Sequence, residues 1–345
     1  MKLILNFITI LIILFQTGNV FSDDIIFNVN NIELNKEFSK NKEKLANEAF
    51  KKGFEKLTNR LLLEKDYKKI TNTSLDEIKN LISYYQIGKN IKKDENKIIV
   101  NISFDKNSIH NFFYKKNILY SDILNTEVIF FPLLVENKQQ FIYSKNYFLD
   151  NWKSNNSEEL IQYSLPLESI ENIEIIKRYK NDIFKLSTSE FFKEYDMENK
   201  VFVIIEKDDD KAKIFLNTEI SKNKLKKNII LNNTFTNSID FNNKIILEVK
   251  KTVKELIKSQ NLIDVRTPSF LNVKIKLKNE NNLVILSNRL KKINLISNYK
   301  VQQFSKDYAL VKIRYYGQIS KIIKKIKDQK MDLKKNGSEW LLNII

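Results

Sequence analysis

The longest helical pattern of apolar and polar positions lies between Ser39 and Leu63. Apolar residues recur there every three or four positions, and lysines and glutamates occupy most of the others. The apolar stripe consists of Leu45, Ala46, Ala49, Phe50, Gly53, Phe54, Leu57 and Leu61. We predict a single amphipathic helix that forms the centre of a small module.

The segments around this helix read as short strands and helices. Ile25–Leu34 is a predicted strand, and Ser74 with Glu77 has the spacing of a capping box that opens a short helix. Residues 84–92 and 97–104 then form a predicted hairpin, and residues 105–116 a helix. The order is βααββα, and we assign it to an N-terminal module of residues 23–121.

The middle segment, residues 122–263, shows a mixed α/β pattern. The apolar run at residues 127–134 predicts a buried strand. Residues 201–206 and 212–220 predict a hairpin, Ser157 begins a predicted helix, and residues 243–259 predict a long one.

The last segment, residues 264–345, has the clearest strand pattern. Leu271, Val273, Ile275 and Leu277 alternate with Asn272 and three lysines, which predicts one buried and one exposed face. The predicted order is βαββαβ followed by a short strand, as in a ferredoxin-like split βαβ pair. The fold class of the whole chain is therefore α+β.

The N-terminus, residues 1–22, has the pattern of a signal peptide. Lys2 precedes an almost wholly apolar run from Leu3 to Phe15, and a more polar stretch follows it. We predict cleavage between Ser22 and Asp23, a periplasmic location and no transmembrane segment in the mature protein. The alternative is an uncleaved N-terminal anchor in the inner membrane.

Composition excludes several classes of enzyme. The chain has five glycines, none clustered as a phosphate-binding loop requires, and it has no cysteine. We predict no cofactor, no metal site and no catalytic residue. Asp208, Asp209 and Asp210 lack the glycine of a calcium loop and are predicted to form a solvated turn. His110, the single histidine, is predicted to lie on a helix surface.

Two further features bear on binding. The aromatic residues Tyr143, Tyr147, Phe148 and Trp152 either belong to a core, which we favour, or line a ligand groove. The last domain has 18 Lys/Arg against 6 Asp/Glu, net +12, whereas the first two have +5 and −1. This positive field suits an anionic membrane surface or acidic envelope proteins, and the alternative is a solvated basic surface without a partner.

We place the candidate docking surface on five basic residues of this last domain. They are Lys274, Lys276, Lys278, Lys312 and Arg314. We predict no nucleic-acid partner, because the candidate strand at residues 308–316 lacks the glycine and aromatic spacing of RNA-binding ferredoxin-like domains.

A series of short features, in order, resembles an exported proteobacterial family of uncharacterised proteins, domain of unknown function 2066. They are the helix with Ala46, Ala49, Gly53, Leu57, Arg60 and Leu61, the strand ending in Phe104-Asp105, Val128–Pro132, Asn151-Trp152, Leu165-Pro166-Leu167, Tyr316-Gly317 and Trp340. The resemblance covers nearly the whole mature chain. The family tends to have an acidic residue near position 172, where this chain has Asn172.

The resemblance implies export but supplies no activity. We therefore expect a non-catalytic periplasmic protein that acts in binding or envelope assembly through protein or membrane-surface contacts. The alternatives are a carboxylate-based periplasmic hydrolase, which would need two inward carboxylates, and a small-ligand carrier that uses the middle domain.

Overall fold

A computed structural model describes residues 25–88, 96–152, 160–277, 281–337 and 339–345. The chain has the predicted mixed α+β class, with several separate sheets. It forms two compact units. One consists of the described residues up to Tyr120 and of those in Leu262–Ile345, and the other of the described residues in Ser121–Asn261. The first and last predicted domains thus fall in the same unit, which we call unit 1.

The N-terminal half of unit 1 has the predicted order βααββα. Its elements are β1 (Asn28–Asn35), α1 (Lys42–Leu61), α2 (Leu75–Lys79), β2 (Ile82–Gly88), β3 (Lys97–Phe104) and α3 (Lys106–Lys116). The three strands form an antiparallel sheet in the order β1-β3-β2. Ser74 and Glu77 form the predicted capping box at the start of α2.

Helix α1 packs on this sheet through the predicted stripe, all of which is buried. The Asn41 side chain caps the helix by accepting a hydrogen bond from the backbone N–H of Lys44, at 3.0 Å. Gly53 lies against the sheet so closely that a Cβ atom there would come within 2.7 Å of Ile102 Cδ1. The absence of a side chain at Gly53 therefore leaves room for the Ile102 side chain.

The C-terminal half of unit 1 has two helices and a five-stranded sheet. The elements are β12 (Ser269–Lys276), α8 (Asn281–Lys291), β13 (Ile296–Phe304), β14 (Tyr308–Tyr315), α9 (Ile319–Asp328), β15 (Met331–Asn336) and β16 (Glu339–Ile344). The sheet order is β13-β14-β12-β16-β15. The last strand lies between β12 and β15 and runs parallel to β12, whereas the fourth strand of a ferredoxin-like sheet pairs directly with the first.

Unit 2 is built around a six-stranded mixed sheet. Its strands are β5 (Thr126–Glu136), β6 (Gln139–Phe141), β7 (Ile161–Ser164), β8 (Asn199–Lys207), β9 (Lys211–Ile220) and β10 (Asn223–Asn232). Its helices are α4 (Tyr147–Asn151), α5 (Ile170–Arg178), α6 (Thr188–Phe191) and α7 (Ser238–Ser259). Two further strands, β4 (Tyr120–Ser121) and β11 (Leu262–Ile263), are each two residues long.

Alternate residues of strands β5 and β8 point into two separate cores in unit 2. One core contains residues of α4 and α7, and the other contains residues of α5 and α6. The predicted strand at 127–134, the hairpin and the long helix are all present. The predicted helix start, Ser157, lies outside the described residues, and Ile161–Ser164 is a strand.

Candidate functional site

Strands β12 and β14 place four of the five predicted docking residues on one side of the C-terminal sheet. The alternating positions Leu271, Val273 and Ile275 are buried, so Lys274 and Lys276 lie on the opposite side. In the antiparallel register, Lys276 is opposite Tyr308 and Phe270 is opposite Arg314.

Lys312 belongs to the same side, because it is opposite Asn272 and its neighbours Val311 and Ile313 are buried. We call this side the open face. The fifth predicted residue, Lys278, lies outside the described residues, as do Ser22 and Asp23 of the predicted cleavage site.

Two aromatic rings hold lysines on the open face. The Nζ atom of Lys274 lies 4.7 Å from the centre of the Tyr308 ring, and that of Lys312 lies 4.6 Å from the Phe270 ring. Contacts of this kind favour a cation over the ring face. The Phe270 side chain is 56% exposed, so the surface offers an apolar group beside its charges.

A fifth cation joins the face from strand β13. Lys300 is directly opposite Lys312 across the β13–β14 ladder, and it is exposed. Like charges in directly opposite positions are destabilising, and a bound anion between them would relieve the repulsion. Sequence reasoning missed Lys300, because its place beside Lys312 follows from the register of two strands.

Among the described strand residues of the open face, acidic side chains occur only on strands β15 and β16. Asp332 pairs with Lys334 at 2.7 Å, and Glu339 lies opposite Asn336 at the start of β16. The cations on β12, β13 and β14 therefore form a continuous basic area, with the two carboxylates to one side.

His110 is not on a helix surface, contrary to the sequence prediction. It is buried, and its Nε2 atom lies 3.0 Å from the Tyr120 hydroxyl. The rings of Phe27 and Tyr316 contact it edge-on, with centroids 5.7 and 5.2 Å away. The prediction failed because Tyr316, some two hundred residues later, completes the enclosure.

Burial lowers the pKa of His110 to about 3, with Lys106 adding to this effect and Asp105 opposing it. The imidazole is therefore neutral at physiological pH. It sits within an aromatic cluster rather than in a cleft where it could reach a substrate.

The middle aromatic residues belong to the cores, as we favoured. Phe148 and Trp152 are fully buried, and Trp152 stacks on Phe130 with ring centroids 3.8 Å apart. Tyr143 packs against the other core, and its hydroxyl accepts a hydrogen bond from Asn172 Nδ2 at 3.0 Å. All four rings thus lie in one of the two cores or pack against it.

The remaining candidate positions are structural. The Asp208 carboxylate accepts hydrogen bonds from the backbone N–H groups of Asp210 and Lys211, at 3.0 and 2.8 Å, which confirms the predicted turn. Within the described residues, no three His, Cys, Asp or Glu side chains come together as a metal site would require. The one buried carboxylate there, Asp66, lies 2.6 Å from Lys69.

No helix among the described residues is both long and apolar enough to cross a membrane. Comparison of the chain with protein-family models, with curated proteins and with solved structures gave no match in any of the three.

Proposed function

We propose that the protein is a non-catalytic, exported binding protein that docks on an anionic membrane surface through the open face. The observation that carries the proposal is the convergence of Lys274, Lys276, Lys312 and Arg314 on one exposed side of adjacent strands. Lys300 extends the same area.

The electrostatic contribution of such a face is appreciable. A basic residue near an anionic lipid surface contributes about 1 kcal/mol, so four residues contribute about 4 kcal/mol. The four cations lie on one side of two adjacent strands and can therefore approach a surface together, and the exposed ring of Phe270 adds an apolar contact. Export to the periplasm rests on the signal-like pattern of residues 1–22, and the family resemblance supports it.

The proposal is tested in cells by charge reversal. The test variant changes Lys274, Lys276, Lys312 and Arg314 to Glu. The matched control changes Lys222, Lys224, Lys226 and Lys227, all exposed in and beside strand β10, to Glu. Both variants alter the net charge equally, so an effect of total charge would appear in both.

We expect the wild type and the control to fractionate with membranes, and the test variant to appear in the soluble periplasmic fraction. Equal membrane association of all three proteins would refute the docking role of the open face. If crosslinking recovers an acidic envelope protein and no lipid binding is found, the open face binds a protein and not the membrane.

A further inference from the structure

Strand β2 is an exposed edge of the N-terminal sheet. Among the described residues it pairs only with β3, in the order β1-β3-β2. An edge strand presents backbone N–H and C=O groups that can pair with another strand, and proteins usually guard such edges with charged side chains, irregular pairing or short length.

The other long edge strands of this protein carry such protection. Charged residues on them are Glu33 on β1, Lys224, Lys226 and Lys227 on β10, Lys300 on β13, and Asp332, Lys334 and Lys335 on β15. Strand β2, with the sequence Ile-Ser-Tyr-Tyr-Gln-Ile-Gly, has no charged residue. Its Tyr85 and Ile87 side chains are 45% and 46% exposed. Its pairing with β3 shifts register between Ile82 and Tyr84, so irregular pairing protects only the first residues of the strand. Tyr84–Gly88 is therefore the least protected stretch of a long edge among the described residues.

The side chains of β2 are divided between the two sides of its sheet. Tyr85 lies opposite Ile102, and Ile87 lies opposite Val100, on the side that packs against α1. The Tyr85 ring contacts that of Phe50 on α1, with centroids 5.1 Å apart. Gln86 lies on the other side, opposite Asn101.

We propose that β2 pairs with the same strand of a second copy of the chain, antiparallel, about a twofold axis at Gln86. A twofold axis perpendicular to a sheet brings together residues that lie on the same side. Gln86 then faces its own copy, and each Tyr85 faces the Ile87 of the other chain.

The chemistry of this register is self-complementary. Aromatic and β-branched residues form favourable cross-strand pairs, and two facing amides can each donate and accept a hydrogen bond. Tyr84 faces Gly88, which leaves room for its ring. The uncharged edge also allows two chains of formal net charge +17 to meet without opposing lysines.

The absence of cysteine from the chain makes the register directly testable. In this pairing the two copies of position 86 are directly opposite, at a Cα separation of about 5 Å, which suits a disulfide. The two copies of position 83 are displaced by six residues, about 20 Å. Gln86→Cys should form a crosslinked dimer on mild oxidation, and the control Ser83→Cys should not.

Sedimentation equilibrium of the mature protein tests the edge itself. Ile87→Lys should weaken self-association at least about tenfold, because it places a cation in the apolar pair. The control Ile230→Lys, on the edge strand β10, should leave self-association unchanged. A wild type that is monomeric throughout, equal crosslinking at positions 83 and 86, or equal effects of the two lysine variants would each overturn the proposal.

Discussion

The buried histidine predicts how the stability of this protein depends on pH. His110 is the single histidine of the chain, so its protonation is the side-chain titration expected near neutral pH. Its folded-state pKa of about 3 lies far below the value near 6.5 that an exposed histidine has. Between these values the unfolded chain binds a proton that the folded chain does not.

The sign and size of the effect follow from this difference. The stabilisation from a neutral, buried His110 is fully present above pH 6.5 and is lost as the pH falls toward 3. Inside this window, each decrease of one pH unit lowers the free energy of unfolding by about 1.4 kcal/mol. From pH 7 to pH 5 the free energy of unfolding should therefore decrease by about 2 kcal/mol through His110 alone.

The assay is urea denaturation of the wild type and of His110→Gln at pH 7 and at pH 5. Glutamine cannot titrate, but its amide can still form a hydrogen bond with the Tyr120 hydroxyl. The carboxylates contribute equally to the pH dependence of stability in the two proteins. The difference between the pH dependences of the wild type and of His110→Gln therefore isolates the effect of His110. Equal losses of stability in the two proteins would refute the buried, neutral state of this side chain.

Three further substitutions test the packing and capping contacts, each by urea denaturation against the wild type. Gly53→Ala should lower the free energy of unfolding by at most about 2 kcal/mol, because the buried Cδ1 atoms of Ile102 and Ile32 would have to move away from the new methyl group, while about 1 kcal/mol of helix propensity is gained; a clear gain in stability would mean that both side chains move away at no cost. Ser74→Ala removes the capping box and should lower the free energy of unfolding by about 1 kcal/mol, whereas Ser74→Asp keeps a capping side chain and should lower it much less. Asn146→Ala should lower the free energy of unfolding by about 2–4 kcal/mol, because the two N–H groups of the buried amide are shared among the carbonyl oxygens of Pro132, Phe141 and Ile142, which lie 2.7, 3.0 and 3.0 Å from Nδ2; a loss below about 1 kcal/mol would contradict this network.

Periodicity was sufficient where an element buries one face and exposes the other. Helix α1 and strand β12 have clear patterns of this kind. All predicted stripe positions of α1 are buried, as are Leu271, Val273 and Ile275 of β12, whereas Leu277 is half-buried just beyond the strand and the buried Thr58 of α1 was not predicted. Strand β10 was missed because it is an edge rich in lysine and lacks regular apolar alternation. The place of β16 between β12 and β15 was also missed, because strand order depends on pairings between distant segments.

The candidate site was predictable only in part, for the same reason. Alternation along one strand places Lys274 and Lys276 on the same side, but the neighbouring strands decide which other residues join them. The pairing of β14 with β12 adds Lys312, and that of β13 with β14 adds Lys300. The burial of His110 likewise depends on Tyr316 from the far end of the chain.

The central claim, docking through the open face, is tested most directly by cosedimentation of the purified mature protein with lipid vesicles. The wild type should bind vesicles that contain phosphatidylglycerol, should bind phosphatidylcholine vesicles weakly, and should be released by salt. The variant with Glu at positions 274, 276, 312 and 314 should bind about a thousandfold more weakly, since about 4 kcal/mol is lost. Binding of this variant equal to that of the control with reversed charges at 222, 224, 226 and 227 would contradict the claim.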